Sequence, residues 1–250
     1  MRSFSSAGLE RLLDRQEVSS SNLLRATRKK HLIIQVFFYG NMIKTIALDL
    51  GGVVVALNFE KALRHFREVG VADVEQYLNP FQQQGFFGDL EGGRINAEEF
   101  RQELSRITGR DATREDCMYA CMGFIECVPT SSLEAIRRLR QAGYRLVLLS
   151  NTNPFVMSWA MSPAFDGKGR GLSDYFDACY LSYACKMMKP DPDFFRYLLD
   201  NELIRPDELL FVDDGPRNIE VAQSLGIHAL LATDVASWPA ETDRYLAAQR

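Results

Sequence analysis

Asp49 ends the short apolar run Ile46-Ala47-Leu48 and is followed at once by Leu50-Gly51-Gly52-Val53. A carboxylate at the tip of a buried strand is costly unless something compensates its charge. Paired glycines let the backbone turn tightly and approach a ligand. Further polar clusters follow apolar runs downstream. Ser150-Asn151-Thr152-Asn153 follows Leu146-Val147-Leu148-Leu149. Lys189-Pro190 lies shortly after Tyr180-Leu181, and Asp213-Asp214 follows Leu209-Leu210-Phe211-Val212. Acids on different strands can hold Mg²⁺, which prefers hard oxygen ligands. A hydroxyl followed by backbone amides can hold phosphoryl oxygens. A lysine adds the positive charge a phosphate dianion requires. An aspartate facing phosphorus can attack it and form an acyl phosphate. Phosphoryl transfer asks a protein mainly for positioning and charge neutralisation, which this set supplies. Taken singly, each piece also has a plain structural use. Ser150 fits a helix cap, Asp213-Asp214 fits loop capping, and Lys189 fits a solvated surface.

The elements that position these clusters alternate. Apolar runs read as buried strands over 45–48, 145–149, 179–181, 209–212 and 227–231. Helical segments separate them. Ser131 with Glu134 reads as a capping box, opening a helix that Gly143 ends. Asp191-Pro192 places a cap and a first-turn proline before Phe194-Phe195. Gly226 closes a helix beginning near Asn218. Strands joined by helices predict an α/β fold, with a doubly wound parallel sheet covered on both faces. In such sheets ligands sit beyond the carboxyl ends of the strands, where strand order reverses.

Residues 58–129 break the rhythm, with helical periodicity and no convincing strand. Asn96 with Glu99 reads as a capping box there. The stretch 79–94 reads as a loop rich in Gly, Gln and Phe. The expected organisation is a core over 42–57 and 130–250 with an inserted all-helical cap over 58–129. Residues 1–41 read as a weakly ordered extension. Their basic Arg28-Lys29-Lys30 precedes an apolar stretch, Leu32 to Tyr39, without the small-residue cleavage site of a signal peptide.

Composition narrows the class. The chain has 250 residues, 46% hydrophobic and 25% charged, with a net charge of -4. That balance points away from nucleic acid and anionic membranes. No apolar run approaches the roughly 20 residues needed to span a bilayer. Cys117, Cys121, Cys127, Cys179 and Cys185 are odd in number and show no paired framework. They read as free thiols in a reducing, cytoplasmic compartment. Cys117 and Cys121 share a helix face, but no histidine lies near them to complete a zinc site.

The motifs Asp49-Leu50-Gly51-Gly52-Val53, Ser150-Asn151-Thr152-Asn153, Lys189-Pro190, and Phe211-Val212-Asp213-Asp214 with Asn218 resemble, in order and spacing, those of haloacid dehalogenase-like (HAD) hydrolases. The resemblance covers nearly everything from Met42 onward. Within that superfamily the chain looks most like the bacterial branch containing sugar-1-phosphate phosphatases. The resemblance implies a Rossmann-like core and a Mg²⁺-dependent phosphatase acting on a small phosphorylated metabolite. By position it implies Asp49 as nucleophile. It implies that Ser150, the Asn151 amide and Lys189 bind the phosphoryl group. Asp49, the Gly51 carbonyl, Asp213 and Asp214 would form the metal site.

The sequence departs from the family pattern at Gly51, where related phosphatases usually carry a second, acid–base aspartate. Three outcomes stay open: a substrate with a good leaving group, replacement by a cap residue or water, or a poor catalyst that still binds phosphate. Asp89, Glu91 and Glu98 are the cap candidates. The stretch Gln82-Gln83-Gln84-Gly85-Phe86-Phe87-Gly88 mixes amides, aromatics and glycines. It makes Gln84, Phe86 and Phe87 the expected specificity residues, an ordinary loop being the alternative. Two other functions compete: a non-catalytic phosphate-binding module, and a metal-free 2-haloacid dehalogenase. Asp213-Asp214 argues against the second, because added acids raise a nucleophile's pKa when no metal is present.

Overall fold

The computed structural model describes residues 43–78 and 84–249. The expected extension over 1–41 lies outside the described residues. The strands are β1 (Thr45–Leu48), β2 (Ala56–Leu57), β3 (Ile125–Cys127), β4 (Arg145–Ser150), β5 (Ala178–Leu181), β6 (Leu209–Asp213) and β7 (His228–Leu231). The main sheet has the order β5-β4-β1-β6-β7. Every pairing in it is parallel. The chain runs from β1 outward through β4 and β5, then returns to β6 and β7 on the other side. The reversal therefore falls between β1 and β6.

Side chains alternate along each strand. Ile46, Leu48, Leu146, Leu148, Leu210 and Val212 enter one core layer. The helices Thr130–Gln141 and Trp238–Ala248 contribute Leu133, Ile136, Leu139 and Trp238 to it. Ala47, Val147, Leu149, Leu209 and Phe211 enter the opposite layer, with Phe194, Phe195, Leu198, Ile219 and Ala222. The last five come from helices Pro192–Glu202 and Pro216–Ser224. Burial on both faces is why these strands read as continuous apolar runs.

Between β2 and β3 lie the helices Phe59–Glu68, Gly85–Glu91, Ala97–Thr108 and Arg114–Met122. Their starts are set locally. The Asn58 side chain accepts from Lys61 N at 2.9 Å. Asn96 and Glu99 form the expected capping box, and Thr113 with Asp116 forms another. Phe66, Phe87 and Phe100 are fully buried and meet edge to face, Phe87 lying 5.4 Å from Phe66 and 6.0 Å from Phe100.

Several local expectations need correction. The segment 58–129 is not all-helical, because β3 pairs antiparallel with β2 at its edge. A three-residue strand is too short to show a period, and its partner lies across the whole helical block. The stretch read as a loop over 79–94 contains the helix Gly85–Glu91, held by buried Phe86, Phe87 and Leu90. Ser131 and Glu134 form no capping box. That helix starts at Thr130 after Pro129 and has no side-chain cap. The helix expected near Asn218 is present, over Pro216–Ser224. All five cysteines are free thiols. Among the described residues, no helix is long and apolar enough to cross a membrane.

Candidate active site

The sheet register builds the site. Leu48 pairs with Val212, so Asp49 and Asp213, one residue further on, stand side by side. Asp49 N donates to Val212 O at 3.0 Å, holding the chain in sheet register past the end of β1. Ser150 ends β4, the neighbour of β1 on its other side. The four polar clusters therefore meet at one edge, astride the strand-order reversal.

Lys189 sits at the centre. Its Nζ donates to Asp49 Oδ1 at 2.9 Å, to Asp213 Oδ2 at 2.7 Å and to Leu149 O at 2.8 Å. Its side chain is 1% exposed, that of Asp213 0% and that of Asp49 14%. The plain reading of Lys189 as a surface lysine is thereby overturned. Asp213 Oδ1 accepts from Gly215 N at 2.7 Å and Asn218 Nδ2 at 2.8 Å, which fixes its plane. Asn151 has an unexpected use. Its side chain accepts from Lys189 N at 2.9 Å and donates to Lys189 O at 2.8 Å. It thus clamps the lysine's backbone. Ser150 is buried beside it. Asn153 caps the helix Pro154–Ala160, accepting from Phe155 N and Val156 N.

The charges do not balance. One carboxylate oxygen from each of Asp49, Asp213 and Asp214 lies within 4.8 Å of the others. Among the described residues, Lys189 is the one ammonium paired with Asp49 and Asp213, and its charge also acts on Asp214. Burial pushes the Asp49 carboxyl up to about 7; Lys189 opposes this, while Asp213 and Asp214 add to it. Burial, then Asp213, pushes Asp214 up to about 6. Burial alone would lower the Lys189 pKa, but Asp213 and Asp49 outweigh it and hold the ammonium charged. Three hard oxygen donors with surplus negative charge fit a divalent cation such as Mg²⁺. The glycines serve this geometry. Gly52 has a φ of 73°, and a Cβ there would stand 2.0 Å from Asp214 Oδ2. A Cβ at Gly51 would meet Leu57 Cδ1 at 2.8 Å.

The three acids considered as replacements for an acid at position 51 now separate. Asp89 pairs with Arg94 at 2.6 Å. Glu98 pairs with Arg101 at 2.8 Å, and its hydrogen bonds to Arg101 and Gln102 pull it down to about 2. Glu91 is half-buried, and burial followed by the Asp49 charge pushes it up to about 8. The expected specificity residues fare differently. Phe86 and Phe87 pack into the helical block; Phe86 lies 5.0 Å from both Phe100 and Tyr77. Both are buried in the core of the block rather than lying in the exposed loop expected. Gln84 is exposed just before its helix. Ser182, which no sequence motif marks, is buried; it accepts from Thr152 N at 2.9 Å and donates to Glu91 O at 2.6 Å.

A doubly wound parallel sheet with acids and a buried lysine at its strand-order reversal makes a Rossmann-like core with a charged site at its switch point. The chain belongs to the haloacid dehalogenase-like hydrolases, whose family pattern matches residues 43–226. It is 42% identical over 200 residues to the D-ribitol-5-phosphate phosphatase of Bacteroides thetaiotaomicron, covering 80% of this chain and 97% of that one. A HAD-like hydrolase structure from Porphyromonas gingivalis matches with a TM-score of 0.77 at 42% identity, covering 82% of this chain and 98% of its own. A HAD family enzyme from Bacteroides thetaiotaomicron, solved with magnesium and inorganic phosphate, matches with a TM-score of 0.68 at 33% identity, covering 76% and 93%.

Proposed function

We propose that this protein is a Mg²⁺-dependent phosphatase acting on a small sugar or polyol phosphate through an aspartyl-phosphate on Asp49. The observation that carries the reading is the buried Lys189 shared between Asp49 and Asp213 at 2.9 and 2.7 Å, with Asp214 beside them. The 42% identity to a D-ribitol-5-phosphate phosphatase supports the substrate class. The magnesium and phosphate in a related structure support the metal.

Asp49, Asp213, Asp214 and the Gly51 carbonyl would hold Mg²⁺. When bound, the cation neutralises phosphate charge and keeps Asp49 ionised. The chain's own residues do the rest. Asp49 attacks phosphorus, the bond to the ester oxygen breaks, and an acyl phosphate forms. Lys189 supplies positive charge beside the phosphoryl oxygens, and the Ser150 hydroxyl orients them. Asn151 keeps Lys189 in place through its backbone. Water then cleaves the acyl phosphate and restores Asp49. The helices from Phe59 to Met122 act as a cap that shields these steps from bulk water.

The test is a panel of sugar, polyol and aryl phosphates and nucleotides, with and without Mg²⁺. Phosphate release should require Mg²⁺, and Asp49→Asn should lower it on the order of 10³-fold or more. An Asp49→Asn variant with full activity overturns the nucleophile. Halide release without metal revives the dehalogenase alternative.

A further inference from the structure

We propose that Glu91, at the end of helix Gly85–Glu91, is the general acid that protonates the leaving oxygen and then the base that activates water. The inference rests on the phosphatase reading above. A sugar or polyol leaves as a basic alkoxide, so its departure needs a proton donor. The acids at the strand ends, Asp49, Asp213 and Asp214, are the proposed nucleophile and metal ligands. Lys189 Nζ already directs its protons at Leu149 O, Asp49 and Asp213. Asp213 accepts from Lys189, Gly215 and Asn218. Gly51 has no side chain, and Leu57 occupies the space a Cβ there would enter.

Glu91 belongs to the helical block rather than to the strand ends. Its carboxyl lies close enough to Asp49 to feel that charge. Among the described residues, no group pairs with the Glu91 carboxyl by hydrogen bond or ion pair. Its backbone is anchored. Ser182 Oγ donates to Glu91 O at 2.6 Å while accepting from Thr152 N, two residues beyond Ser150. The turn after Glu91 lies directly on the same element, since a Cβ at Gly93 would stand 2.2 Å from Tyr183 O. A half-buried, unpaired acid is thus tied to the loop that carries the phosphate-binding serine. Burial, ahead of the Asp49 charge, raises its pKa and so favours the protonated acid.

The step balances. Asp49 bonds to phosphorus, the phosphorus–ester oxygen bond breaks, and the Glu91 proton goes to that oxygen to give the alcohol. The resulting Glu91 carboxylate takes a proton from the water that attacks the acyl phosphate. Inorganic phosphate leaves, and Asp49 and protonated Glu91 are restored.

The experiment measures kcat/KM of wild type, Glu91→Gln and Glu91→Asp with Mg²⁺, using D-ribitol 5-phosphate and p-nitrophenyl phosphate. The aryl oxygen leaves without protonation. Glu91→Gln should therefore lose about 10²-fold more on the alkyl ester than on the aryl ester. Glu91→Asp should recover part of that ratio. The ratio is internal to each preparation, so partial unfolding, which scales both rates alike, cannot imitate the effect. Equal losses on the two esters overturn the assignment, as does undiminished alkyl activity. A wild type that hydrolyses the aryl ester but never an alkyl phosphate overturns it while sparing the phosphatase reading. A wild type silent toward both with Mg²⁺ sinks both.

Discussion

At the scale of single residues, the site is a problem of unequal charge. Asp49 and Asp214 are pushed up to about 7 and about 6, burial being the largest cause for each. Both lie above their ordinary values, so the native metal-free protein binds more protons than the unfolded chain across that window. Its stability therefore falls as pH rises from about 4 toward 7. Mg²⁺ must displace those protons to bind. Adding Mg²⁺ should thus raise Tm more near pH 8 than near pH 5.5, the stabilisation approaching about 2.7 kcal/mol in free energy at a hundredfold excess over Kd. Calorimetry with and without EDTA checks this. Equal shifts at both pH values would remove the carboxylate trio from the metal site.

At the scale of elements, helix Gly85–Glu91 does two jobs. Its aromatic side chains bury among Tyr77, Phe66, Phe100 and Phe124. Its last residue, Glu91, feels the Asp49 charge and is bound through its backbone O to Ser182 Oγ. Phe86→Ala should therefore cost about 3–5 kcal/mol of stability, read by urea unfolding. It should leave the relative kcat/KM among different phosphates unchanged. A change in substrate preference without loss of stability would return Phe86 to the substrate surface. Among helix starts, Asn96 with Glu99 was legible because capping is local chemistry. Ser131 with Glu134 has the same spacing and no such role. Its helix begins one residue earlier, at Thr130, after Pro129, which leaves Ser131 inside the first turn.

At the scale of the whole molecule, the helices from Phe59 to Met122 leave and rejoin the core through β2 and β3. Asn58 N donates to Phe124 O at 2.9 Å beside this ribbon. If these helices close over a phosphorylated Asp49, beryllium fluoride with Mg²⁺ should slow amide exchange in 85–91. Mass spectrometry of exchanged peptides checks this against Mg²⁺ alone. Protection confined to strand ends would deny that the helical block takes part.

Sequence alone determined the parallel α/β class and the edge where the polar clusters meet. Both follow from local rules: strands buried on both faces are apolar along their length, and ligand groups cluster just past their carboxyl ends. It also exposed the missing acid at Gly51. Only the tertiary structure separated the candidates for that role. Asp89, Glu91 and Glu98 look alike in the chain, and arginines claim two of them while the third pairs with no described residue through its carboxyl. The same holds for Phe86 and Phe87, whose burial depends on helices far along the sequence. Partners brought together by folding set a side chain's charge state and exposure, and no local pattern encodes which partner will arrive.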